Sequence, residues 1–83
     1  MARNLTQAQL KRRGAILEWL RGLADRNDPW RATPAIRGHV AQYHSIFVTE
    51  DTIAKDLKAL AEAGSLKQDE LPFTHGKRIW AAA

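Results

Sequence analysis

Thr52, Lys55 and Lys58 fall within seven residues of one another, and their side chains suit contact with nucleic acid. A threonine can meet a base edge or a thymine methyl, and a lysine can meet guanine or phosphate. A second group follows Phe73: His75, Lys77 and Arg78, with no acid beyond Glu70. Cations on a loop of this kind grip phosphates or reach into a minor groove. Thr33, Arg37 and Thr49 complete the set. Arg37, together with free amides after Thr33, suits a phosphate, and Thr49 supplies the hydroxyl at the start of the lysine-bearing helix. Each candidate also has a plainer reading. Asp51–Lys55 and Lys58–Glu62 are i,i+4 pairs that fit a solvated helix face. Arg37 is equally an ordinary surface arginine, and the Phe73–Arg78 segment a solubilising loop.

The residue pattern offers little to catalysis, and no enzyme is expected. His39 and His44 are five apart and turn to different faces of a helix, whereas two metal ligands on one helix want i,i+4. His75 has no clustered carboxylate or thiol beside it. Ser45 follows His44 without an evident third partner, and no glycine-rich phosphate loop occurs. Neither a metal nor a cofactor is expected.

The chain has 83 residues, a net charge of +4 and a pI near 10.0. That length fits one small domain, expected to span residues 1–83. With 45% hydrophobic and 27% charged residues, a thin packed core is expected and global disorder is not. The absence of cysteine excludes a disulfide scaffold. With no membrane-length apolar run and no signal-like start, the expected location is the cytoplasm, away from membranes. Basicity favours an anionic partner, but the charge is uneven. Residues 1–37 hold eight Lys/Arg against three Asp/Glu, whereas residues 38–70 hold three against six.

These side chains need elements to position them. Thr6-Gln7-Ala8-Gln9 is a capping box, flanked by Leu5 and Leu10 at the staple positions, so a helix is expected from there to about Asp25 or Arg26. Leu10, Ile16, Leu17, Trp19, Leu20, Leu23 and Ala24 cover about half its circumference. An arc that wide implies contact with several elements, or an edge free for a second copy. The Trp19/Leu23 edge is the candidate dimer contact. Lys11-Arg12-Arg13 is the densest basic run; consecutive helical residues fan out by about 100° each, so it reads as a solvated helix start. Trp19, Trp30 and Trp80 are read as packing residues rather than base-stacking platforms.

After a short strand at residues 30–32, a second helix is expected with Thr33 as cap and Pro34 in first place, burying Ile36, Val40 and Tyr43. Ile46-Phe47-Val48 should plug into the core. The third helix is capped by Thr49, carries Glu50 and Asp51 in its first turn, buries Ile53, Leu57 and Leu60, and ends at Gly64. Residues 65–68 and 77–81 read as strands joined by a mobile loop from Asp69 to Gly76.

This order is that of a winged helix-turn-helix domain: α+β, three helices with a small two- or three-stranded antiparallel sheet. The stretch from Val48 to Leu66 resembles the recognition-helix region of deoxyribose-operon-type bacterial repressors: a valine and a small hydroxyl residue, Thr52-Ile53, basic residues, Asp56-Leu57, and Leu60 followed by Gly64. The resemblance implies sequence-specific binding of double-stranded DNA by a small transcriptional regulator, with helix 49–63 in the major groove and the 69–78 wing on the backbone. A homodimer would suit a two-part site. The family carries a basic residue where this chain has Ala54, and the Val40–Val48 turn is longer than the family's. Those departures, with the acidic middle third, give the alternative: a winged-helix module that docks a protein partner in a replication, transcription or phage-host complex.

Overall fold

The computed structural model describes residues 5–73 and 76–83. Its elements are α1 (Gln7–Asp25), β1 (Arg31–Ala32), α2 (Thr33–His44), α3 (Glu50–Glu62), β2 (Leu66–Glu70) and β3 (Arg78–Ala82). The strands form one antiparallel sheet in the order β1-β3-β2, which is the expected α+β arrangement in its three-stranded form.

Local chemistry accounts for most boundaries. Thr6 Oγ1 accepts the Gln9 amide at 3.1 Å, and Gln9 Oε1 accepts the Thr6 amide at 2.9 Å, so the capping box starts α1. Asn27, in the left-handed region at φ 60°, turns the chain away after it. Thr49 Oγ1 accepts the Thr52 amide at 3.2 Å and caps α3. At the other end Gly64 takes φ 81°, which lets the Ser65 amide reach back to the Leu60 carbonyl at 2.9 Å.

The core lies where the three helices meet the sheet. Ile16 and Leu20 from α1, Ile36 and Val40 from α2, and Ile53 and Leu57 from α3 are all fully buried, and Leu66, Trp80 and Ala81 close it from the strands. The wide apolar arc of α1 is explained by its neighbours, since this helix packs on β3, α2 and α3 at once.

Several expectations need correction. Thr33 does not cap α2: the cap position is Ala32, which offers no side-chain bond. Thr33 Oγ1 instead accepts the Trp80 Nε1 proton at 3.0 Å, pinning the start of α2 to β3. Leu10 and Tyr43 are exposed, at 51% and 68%, because each sits past the edge of its helix's contact. Of the apolar bridge, Ile46 and Val48 pack on the core while Phe47 is 80% exposed. The strands also run further than expected. Glu70 pairs with Arg78, and the Leu71 amide donates to the Lys77 carbonyl at 2.9 Å, so the connection is shorter than a loop from Asp69 to Gly76.

The largest correction concerns the basic run on α1. Arg12 is buried, and it grips the equally buried Asp56 of α3 through both Nε and Nη2, the latter to Oδ1 at 3.1 Å. Arg13 Nε donates to the same Oδ1 at 2.9 Å. Asp56 follows Ile53 by one turn and adjoins Leu57, so its carboxylate lies on the apolar stripe and must be paired. Two of the three cations of the run are therefore internal counter-charges rather than solvated groups.

Candidate nucleic-acid interface

The core-facing stripe of α3 fixes what its outer side presents. With Ile53, Asp56, Leu57 and Leu60 inward, Asp51, Lys55, Lys58 and Glu62 stand exposed on the opposite side. Neither the Asp51–Lys55 nor the Lys58–Glu62 pair closes as an ion pair. The salt bridges among the described residues are those of Asp56 and the Arg31–Asp28 pair. Both lysines thus keep their charge available to solvent.

A groove of about 450 Å³ runs between this face and the hairpin. Ala54, Lys55 and Lys58 line it from α3, Gly76 and Arg78 from the hairpin, and Thr33 from the start of α2. Trp80 backs it, held by its bond to Thr33, and Asp51 is the acid on its wall. The small side chain at Ala54 leaves the groove open where a long one would fill it. Arg78 is oriented by a hydrogen bond from Nη1 to Gln68 Oε1 at 3.1 Å and lies across the ladder from Glu70, with which it forms no salt bridge. Lys77 lines an adjoining cavity of about 180 Å³ with Thr33, Arg78 and Glu50.

The candidates therefore fall into two sets. Thr33, Lys55, Lys58, Lys77 and Arg78 converge around the groove and the cavity beside it. Arg37, Thr49 and Thr52 gather instead at the start of α3. Arg37 Nε donates to the Val48 carbonyl at 2.8 Å and fastens the α2–α3 turn, and the Thr49 and Thr52 hydroxyls lie 3.0 Å apart. Arg37 remains exposed, so the rest of its guanidinium can still meet an anion. His75 lies outside the described residues.

A different arrangement occupies the far side of α1 and α2. Trp19 stacks on His39 with ring centroids 3.9 Å apart and planes 4° from parallel, and His39 also meets Tyr43 at 4.8 Å and His44 at 5.6 Å. Burial, and then the nearby His44, push the His39 imidazole below its ordinary pKa. Leu23 is buried and Trp19 is half-covered, so the edge considered for a second copy is largely occupied by the chain's own packing. The sequence did not reveal this stack, because helix-wheel reasoning treats α1 and α2 separately.

Among the described residues, no group of three or more His, Cys, Asp or Glu could hold a metal ion, and no helix is long and apolar enough to cross a membrane.

No protein-family model matches the sequence, and no curated protein is significantly similar to it. In shape, the chain is similar to a solved structure from work on the DNA recognition and protein interaction domains of HOP2 and its homologous DNA pairing properties. The TM-score is 0.65 at 19% identity, over 87% of this chain and 98% of that one. At that identity the likeness concerns the backbone: the chain has the winged-helix fold.

Proposed function

We propose that this chain binds double-stranded DNA, with α3 in the major groove and the wing formed by residues 69–78 on the phosphate backbone. The observation that carries the reading is the groove in which Lys55 and Lys58 of α3 meet Arg78 of the wing, none of them with an ion-pair partner among the described residues. Cations unneutralised by the protein are what release counterions from a duplex. In this reading Thr52, Lys55 and Lys58 contact bases, while Thr33, Arg37, Thr49, His75, Lys77 and Arg78 hold the backbone. The acidic middle third counts against it less than composition suggests, because Asp56 is buried and neutralised. The shared fold with the structure from work on the DNA recognition and protein interaction domains of HOP2 is in keeping with this reading. The likeness of the α3 region to deoxyribose-operon-type repressors extends the proposal to a small sequence-specific transcriptional regulator in the cytoplasm, acting as one domain. Two copies on a two-part site would need a surface other than the Trp19/Leu23 edge, which the chain's own packing largely occupies.

A second reading, a protein-docking module, is favoured by one observation. Tyr43 at the end of α2 and Phe47 within the α2–α3 turn stand exposed, at 68% and 80%. Titration of the purified chain against mixed duplex fragments at low and moderate salt separates the two. Duplex retardation that weakens steeply with salt is expected. Failure to bind at low salt would overturn the DNA reading in favour of docking.

A further inference from the structure

Phe73 is an outlier on two independent counts. It is fully exposed, at 103%, so none of the described residues covers its ring. Its backbone also takes φ 63°, a left-handed conformation that is rare for a bulky residue and is normally given to glycine or asparagine. Folding gains nothing from an aromatic ring at such a position. The residue sits at the tip of the β2–β3 hairpin, beyond the point where the Leu71 amide closes on the Lys77 carbonyl. Gly76, on the returning side of the tip, lines the groove with Lys55 and Lys58, so the base of the wing abuts α3. Lys77 and Arg78 follow at once, both exposed.

We propose that Phe73 is a wedge that enters a base step of the bound duplex, unstacks it and bends the DNA. The inference rests on the duplex-binding reading above. An apolar side chain projecting beside cations is the chemistry that kinking requires: Lys77 and Arg78, on the returning side opposite Asp69 and Glu70, hold phosphates next to the step while the ring replaces the lost stacking. Flexible pyrimidine–purine steps are the ones it would open. Lys77 and Arg78, the exposed cations on the returning side, favour a polyanion over an apolar pocket on another protein. Kinks made in this way are about 20–90°.

The test uses the full chain and a duplex that carries 2-aminopurine at a TA step, a dye at one end for anisotropy and a donor–acceptor pair across the ends. Anisotropy reports binding, 2-aminopurine fluorescence reports unstacking, and energy transfer reports bending, all on one sample. The wild-type chain should bind, raise the 2-aminopurine signal severalfold and shorten the end-to-end distance. Phe73→Ala should still bind with the same salt dependence but lose both the fluorescence rise and the bend, and Phe73→Trp should restore them. Saturable binding with no unstacking, or unstacking that persists in Phe73→Ala, overturns the wedge while leaving duplex binding intact; the ring would then be left for protein contact. Absence of binding on the anisotropy channel overturns the duplex reading itself.

Discussion

Two groups of cations in this chain have opposite fates. Lys11, Arg12 and Arg13 are adjacent in sequence, yet Arg12 and Arg13 converge on the single carboxylate of Asp56. Lys55, Lys58, Lys77 and Arg78 come from a helix and a hairpin well apart in the chain, yet the fold gathers them around one groove and the cavity next to it. Local density of charge therefore says little about where a polyanion can bind. What decides it is whether the protein has already supplied the counter-charge.

The first group is most sharply tested at Asp56. Asp56→Ala would leave Arg12 buried without its partner, and breaking a buried pair from one side typically costs about 3–5 kcal/mol. In a domain this small, that is a large share of the total stability. Urea unfolding should show either a much lower midpoint or a chain that no longer folds cooperatively. A variant as stable as wild type would mean that Arg12 and Arg13 are in fact solvated, and the contrast between the groups would disappear.

A smaller effect comes from His39, where folding suppresses a charge instead of pairing it. Its pKa is lowered below the ordinary 6.5 by burial against the stack and by His44. The unfolded chain thus binds this proton more readily than the folded one, so stability rises with pH across this window. The contribution is complete above the unfolded pKa and is lost as pH falls through the folded one. Unfolding midpoints measured across the histidine range, from about pH 7.5 to about pH 5, should decline for wild type and decline less for His39→Phe. Identical slopes would show that the imidazole carries no such linkage.

Much of this fold was legible in the residues. Thr6 with Gln9, Thr49 and Gly64 mark helix ends through bonds made within a few positions, and each is seen as expected. The apolar stripe of α3 likewise follows from its spacing. What escaped was tertiary. The Asp56 pairing joins residues more than forty positions apart, and the Trp80–Thr33 bond joins β3 to α2. A sign of the former was present, since a carboxylate flanked by Ile53 and Leu57 at core spacing implies a buried partner. Nothing local identified that partner as the run on α1. The candidate site can be listed from the sequence as residue types but not as a shape. Lys55, Lys58, Lys77 and Arg78 are recognisable by their chemistry alone, whereas the separation of Arg37, Thr49 and Thr52 from the groove depends on how the turn at Val48 is fastened.

The most direct measurement is the slope of duplex affinity against salt for two variants beside wild type. Each phosphate neutralised contributes about 0.9 to that slope. Lys77→Ala with Arg78→Ala, at two of the backbone-holding positions beside the groove, should lower it by about two and leave thermal stability nearly unchanged, because both side chains are exposed. Lys11→Ala, which removes an exposed lysine from the denser run, should leave the slope as it was. An unchanged slope in the groove variant, or an equal loss per charge from Lys11, would contradict the account.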